Sequence, residues 1–318
     1  GMFREVTRAL RGLARHPAYS LTAVLTLALA VGATAAIFSV VDGALLKALP
    51  YEDADRLVFL SEATPQVPEM SVAYPNYEDW RARNRVFESM GVYNRASYIL
   101  TGGGDAERLQ AGQVAADLFK VTRATPLFGR VFTTDDDRVG VPRVALIGEG
   151  LWRRRFGADP GIVGATIRLN ENPVTVVGVL PASYRMPTRV DLWVPVGPLA
   201  EDPSWKERGN HPGLSGVARL KDGIDIETAR KDMTRVAAEL GEEFPRTNKD
   251  TTVIVNSLRH VYSGDVDRAL WVLFGAVLSV LLVACANISN LTLSRGAARA
   301  REFAVKQALG AGFWRIAR

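Results

Sequence analysis

In 318 residues the sequence holds one cysteine, Cys285, and three histidines, His16, His211 and His260. A single cysteine forbids an intrachain disulfide, so any folded domain must be held by its own apolar core. The histidines stand far apart and no cysteine pair accompanies them, which removes the usual zinc spacings. There is no G-x-x-x-x-G-K-[ST] run and no H-E-x-x-H, so neither a P-loop nor a zincin helix is present. The glycine run Thr101-Gly102-Gly103-Gly104-Asp105 has no lysine after it and reads as a flexible hairpin-type turn. Pro212-Gly213-Leu214-Ser215-Gly216-Val217 lacks the last glycine of a nucleophile elbow. Nothing here argues for an enzyme, and no catalytic, cofactor or metal residue is assigned.

Charge is also missing, in two places. Ala18–Val41 gives 24 residues and Ala269–Ser294 gives 26 without Asp, Glu, Lys or Arg. About 20 apolar helical residues, at roughly 1.5 Å each, cross the hydrocarbon core of a bilayer. Both stretches are therefore read as transmembrane helices, over 18–41 and 269–294. Residues 1–19 carry a net +3 and residues 295–318 a net +5, which leaves −3 for the segment between the spans in a chain of +5. Lys and Arg flanking spans stay cytoplasmic. Both termini are thus expected inside and residues 42–268 outside, as a large domain on the periplasmic side of a bacterial inner membrane. That domain is mildly acidic, which argues against nucleic acid as a partner and assigns the basic pI of about 9.4 to topology signals.

Ala33-Thr34-Ala35 after an arginine-rich start resembles a signal-peptide cleavage site. Apolar character nevertheless continues through Ile37, Phe38, Val40 and Val41, which favours a retained span. Residues 1–17 form the cytoplasmic N-terminal segment, with Phe3, Val6, Leu10 and Leu13 at helical spacing and Arg4, Arg8, Arg11 and Arg15 mostly opposite. Such a helix suits anionic lipid, or is simply a positive-inside flank. Gly1 before Met2 reads as an expression scar and Arg318 as a truncation point.

Between the spans, strands are expected at Arg56–Ser61, Tyr93–Leu100, Val144–Ile147, Val190–Val196, Leu214–Leu220 and Thr252–Leu258, with helices at Tyr74–Asn84, Ala115–Phe119 and Gly150–Phe156. Arg153, Arg154 and Arg155 form the solvated face of the last of these. Asn170-Glu171-Asn172-Pro173 separates two β-branched runs and reads as a hairpin turn. Asp135-Asp136-Asp137 lacks EF-hand spacing and reads as a solvated turn. Asp225 is a helix N-cap with Ile224 stapled toward Ala229, and the helix it starts buries Ile226, Ala229, Met233, Val236, Ala237 and Leu240 before Pro245 stops it. Strand–helix–strand at both ends predicts an α+β domain: one lobe split by an inserted second lobe.

After the second span, Ala304, Val305, Ala308 and Leu309 make an apolar stripe, Glu302 and Lys306 an i,i+4 pair, and Gly310 a helix stop. This short amphipathic helix can rest on lipid or press into a groove on a soluble partner.

Several segments in order carry a family likeness: Asp42-Gly43-Ala44-Leu45-Leu46-Lys47-Ala48-Leu49-Pro50-Tyr51 after the first span, Gly148–Phe156 with Gly157-Ala158-Asp159-Pro160, Val174–Pro181, and Asn287-Ile288-Ser289-Asn290-Leu291 leading into Arg301–Ala311. The chain resembles the first half of a MacB/FtsX-type ABC transporter permease, closest to duplicated permeases without a fused ATPase. The resemblance implies a periplasmic core domain with a porter-like α/β lobe split by a β-rich lobe. It implies that 295–318 begins an FtsX-like permease domain in which Arg301, Glu302, Phe303, Val305, Lys306, Leu309 and Gly310 couple to a separate cytoplasmic ABC ATPase subunit. Further implied partners are a second permease half or a second copy of the chain, and a periplasmic adaptor. The implied role is efflux or mechanotransmission, with ATP hydrolysis elsewhere and no cofactor of its own. The alternative is a two-span sensory receptor, which needs a continuous signalling helix after the second span. Gly296 and Gly310-Ala311-Gly312 interrupt one here.

Overall fold

The computed structural model describes residues 17–41, 51–102, 104–186, 188–263, 271–286, 289–290 and 293. The N-terminal segment 1–16 and the expected coupling segment Arg301–Gly310 lie outside the described residues. The chain divides into two units, Ala48–Tyr262 and one built from Gly1–Lys47 with Ser263–Arg318.

In the second of these, helix α1 (Pro17–Val41) runs 25 residues with no acidic or basic residue in its end turns. Its Leu21, Val24, Leu25, Leu29 and Phe38 are all more than half exposed. Residues 271–286 are also helical. There Trp271, Val272 and Leu282 stand exposed, while Val277 and Ala284, seven residues apart and so on one face, are buried. Counting described residues alone, no helix is long and apolar enough to cross a membrane.

The unit Ala48–Tyr262 is organised by one ten-stranded sheet. Its first lobe reads β1 (Leu57–Ala63), α2 (Tyr74–Arg83), β2 (Phe87–Thr101), then β9 (Ser215–Leu220), α5 (Ile226–Glu243) and β10 (Thr252–Ser257). The strands lie in the order β10-β1-β9-β2, every neighbour antiparallel. This is a split β-α-β arrangement, β-α-β-β-α-β in chain order. Helices α2 and α5 cover one face, where Tyr77, Trp80, Met233, Val236 and Leu240 meet Val58, Leu60, Met90 and Ala218. The other face, with Leu57, Phe59 and Val217, packs on α3 (Leu118–Thr122) and on Phe132, Leu146, Tyr184 and Trp193. Strand β1 is therefore buried on both sides along its whole length. A near-continuous apolar run suits that position better than alternation does.

The connection from β2 to β9 is a second lobe. It contains β3 (Glu107–Val114), α3, β4 (Phe128–Gly129), β5 (Val144–Gly148), α4 (Glu149–Phe156), β6 (Thr166–Leu169), β7 (Asn172–Leu180) and β8 (Leu192–Pro195). Strand β2 is 15 residues long: Phe87–Tyr93 pairs with β9, and Tyr93–Leu100 pairs with β3. Pairing then passes from β3 through β8, β5 and β7 to β6, and β6 returns to the end of β2 at Leu100↔Leu169. Six strands thus close into a ring, lined by Leu109, Ala111, Ile147, Val176 and Leu192. Closure removes the exposed edges that an inserted sheet would otherwise present. The expected lobe split by a β-rich insertion is what the chain forms, with β2 shared by both.

Local chemistry explains several joints. Asn170 and Glu171 both have positive φ, +48° and +63°, and make the tight β6–β7 hairpin. Asp225 Oδ1 accepts from Thr228 N at 2.8 Å, the expected cap of α5. At Gly91 a Cβ would lie 2.8 Å from the backbone of Leu118, so glycine lets α3 dock on β2.

Three expectations need correction. The helix expected at Ala115–Phe119 is displaced to Leu118–Thr122, because Ala115 N still pairs with Val92 O. Asp135-Asp136-Asp137 is not simply a solvated turn: Asp136 holds Arg130, and Asp137 bonds two backbone amides. The arginines of α4 are not simply solvated either. Arg154 bridges Glu107 and Asp191 across β3 and β8, and Arg155 donates to Asp105 O.

Candidate functional site

The residues expected to couple to a partner, Arg301, Glu302, Phe303, Val305, Lys306, Leu309 and Gly310, all fall outside the described residues. Within Ala48–Tyr262, three polar clusters stand out, and of their members the sequence had pointed only to His211 and to the carboxylate run ending at Asp137.

The first lies where β1, α2 and the loop returning from the inserted lobe meet. Glu62, on β1, is 1% exposed. Its Oε1 accepts from Ala73 N and Asn76 Nδ2, each at 3.0 Å, and its Oε2 stands 3.0 Å from His211 Nε2. Asn76 Oδ1 accepts from Arg208 Nη1 at 2.8 Å and from Asn248 Nδ2 at 3.0 Å. Arg208 also donates to Asp79 at 2.5 Å and lies 3.6 Å over the Phe244 ring, a cation–π contact. The hydrogen bond to Glu62 holds the His211 imidazole above its ordinary pKa, against partial burial. Buried polar groups here are satisfied by one another, so the network fixes one arrangement of three segments.

The second is a cleft of about 400 Å³ bordered by Tyr74, Glu78, Asp137, Arg138, Trp205 and Lys206. Asp137 accepts from Ala116 N at 2.8 Å and Gly197 N at 2.5 Å, tying the 134–138 turn to the end of β3 and to the short 3-10 helix Gly197–Glu201. A Cβ at position 197 would lie 2.1 Å from Asp137 O, so only glycine fits the approach. Burial pushes the Asp137 and Glu78 carboxyls above the usual carboxylate range. It likewise raises the Tyr74 and Tyr77 phenols.

The third holds the entry to the unit. Arg219, on β9, is fully buried and donates to backbone carbonyls: Val121 O at 2.8 Å, Glu52 O at 2.8 Å and Asp53 O at 3.5 Å. Burial and the neighbouring Arg123 and Arg56 lower its pKa. Arg123 binds Glu52 and Asp53 from outside, and Arg259, on α6 (Leu258–Ser263), pairs with Asp55 at 3.1 Å. The two ends of the unit are therefore neighbours, since Val58 of β1 pairs with Ser257 of β10.

None of these sets joins a nucleophile to a base. Among the described residues no group of three or more His, Cys, Asp or Glu is arranged to hold a metal ion. What they do is brace: each fixes one segment of the chain against another. A charged residue inside an apolar strand, Glu62 in Leu57–Ala63 and Arg219 in Ser215–Leu220, was the signal available in sequence.

Comparison with known proteins agrees with the fold. The chain is 26% identical over 212 residues to the macrolide export ATP-binding/permease protein MacB of Burkholderia pseudomallei (strain 1710b), and to the same degree to that of Burkholderia thailandensis. These alignments cover 65% of this chain and 31% of each relative, so the chain spans about a third of their length. The crystal structure of the periplasmic region of MacB from Actinobacillus actinomycetemcomitans superposes with a TM-score of 0.50 at 16% identity, over 68% of this chain and 93% of that one. The sequence pattern of the MacB-like periplasmic core domain matches residues 20–236. The chain belongs to the family of MacB-like periplasmic core domains.

Proposed function

We propose that this chain is part of an ABC transporter permease. In this reading it crosses the inner membrane through 18–41 and 269–294 and carries Ala48–Tyr262 in the periplasm. It transmits motion driven by a separate cytoplasmic ATPase to that domain, for efflux or mechanical work. The family match over residues 20–236 carries the reading, and it begins inside the first charge-free stretch. Two further features support it. The ends of the outer unit leave from paired antiparallel strands, as a domain inserted between two spans requires. Arginines flank both charge-free stretches on their outer sides in sequence.

The coupling element is Arg301–Gly310, its apolar stripe seated on the ATPase. The partner permease surface is a second half-permease or a second copy, with a periplasmic adaptor beyond the outer domain and lipid around the spans. Replacing Val305 and Leu309 together by Asp puts charge into the partner groove, where an unpaired buried charge is costly. Co-purification of the ATPase and stimulation of its hydrolysis should both fall steeply, while membrane insertion and the periplasmic fold persist. A double variant that binds and stimulates the ATPase like the parent refutes the coupling assignment. Weakened membrane seating with coupling intact shows instead a helix resting on lipid.

A further inference from the structure

The loop that returns from the inserted lobe to β9 is held at one corner by His211. Both ring nitrogens of His211 face acceptors: Nε2 stands 3.0 Å from Glu62 Oε2, and Nδ1 stands 3.2 Å from Gly209 O. A carboxylate oxygen and a carbonyl oxygen cannot donate, so both contacts are hydrogen bonds only when the ring carries both protons. Neutral imidazole has one N–H and leaves a lone pair facing an oxygen. Glu62 is fixed in this role from its other side. Its Oε1 is committed to Ala73 N and Asn76 Nδ2, and the residue is 1% exposed, so water does not replace the ring.

The charged groups around the ring leave Glu62 as its ionic partner. From α2, Asp79 is paired with Arg208, and from the loop itself Arg208 is committed to Asp79 and to Asn76. From β1 comes Glu62 alone. The ring is a quarter exposed, so protons reach it from solvent. The same loop touches the body again where Gly213 N donates to Ser71 Oγ and Val72 N to Leu214 O.

We propose that His211 is a pH-operated latch: doubly protonated, it clamps the return loop 207–214 onto the β1–α2 corner, and loss of one ring proton loosens that loop. The direction follows from linkage. The clamped state favours the imidazolium, so the contribution is complete below the ordinary histidine range and is lost as pH rises through the elevated value. The latch is thus engaged at mildly acid pH and slack on the alkaline side. Because the loop joins the two lobes, the stiffness of their connection becomes a function of external pH. This holds whether or not the chain couples to an ATPase.

The test uses the intact chain. Amide exchange of peptides covering 207–214 is measured from pH 6 to 9, with the intrinsic pH dependence of exchange divided out. In parallel, the rate of diethylpyrocarbonate modification of His211 against pH reports when the ring becomes neutral. Protection of 207–214 should fall by about tenfold, the scale of one charge-assisted hydrogen bond exchanged for a neutral one. Its midpoint should coincide with the His211 modification midpoint and lie above about 6.5, the unperturbed histidine value. H211Q should show loop protection independent of pH. Should H211Q not fold, coincidence of the two wild-type midpoints still decides. A His211 midpoint at or below that value, protection unchanged across the range, or the same profile in H211Q overturns the proposal.

Discussion

Replacing Arg219 with methionine tests whether the buried guanidinium holds the entry segment. Methionine keeps much of the aliphatic length and removes every donor. Two short charged hydrogen bonds disappear, to Val121 O and Glu52 O at 2.8 Å, together with the longer one to Asp53 O. Each charged bond contributes on the order of 1.5–3 kcal/mol. Two effects offset the loss. Dehydrating a cation costs several kcal/mol, and that cost vanishes with the charge. Glu52 and Asp53 are exposed residues, so water can return to their carbonyls. Val121 is fully buried, and its orphaned carbonyl remains the dominant cost. The balance is a destabilisation of about 1–3 kcal/mol, with Tm falling about 2–4 °C for each kcal/mol in a domain of this size. R219K should not rescue, because an ammonium cannot span carbonyls from two segments as the planar fork does. Urea titration of the intact chain gives the stability, and amide exchange over 51–56 gives the local effect. Exchange there should rise more than in β5 or β7. Parent-like stability of R219M with unchanged protection of 51–56 would refute the reasoning.

Gly91→Ala should cost about 1–3 kcal/mol, because the new methyl meets the Leu118 backbone, which cannot turn aside; a neutral midpoint in urea would mean that α3 docks more loosely than its packing implies. Asp136→Asn should remove an acid dependence. The Arg130 and Thr133 hydrogen bonds lower the Asp136 pKa, so its contribution is present above the unfolded carboxylate value, about 3.9, and is lost as pH falls through the lower folded value. The parent should therefore lose more stability than the variant between pH 5 and pH 2, and identical acid profiles for the two chains would contradict this.

Much of the unit Ala48–Tyr262 was legible because its signals are local. Helix α5 needs only an N-cap, a 3.6-residue apolar stripe and a proline beyond its end, and all three lie within some twenty residues of sequence. The β6–β7 turn needs only residues that tolerate positive φ between two β-branched runs. The two charge-free stretches and their arginine flanks are likewise properties of the chain read in order.

The site residues were not legible in this way. Glu62 and His211 are 149 residues apart, and Arg219 lies 98 residues from Val121 and 167 from Glu52. No periodicity links positions at such separations. Only the return of β9 between β1 and β2 brings them into contact, and only closure of the six-stranded ring fixes where the return loop lands. The same distinction explains the displaced helix after β3. Propensity alone favours Ala115–Phe119, but β3's last residues are still engaged with β2 and β8, so the helix begins three residues later. Sequence determined most of the segments that form strands and helices, because those choices depend mainly on neighbours along the chain, but Glu107–Val114, the first half of β2 and the helix Leu258–Ser263 were not among them. Tertiary structure decided which charges are buried and which partners they take, because both depend on burial that the sheet creates.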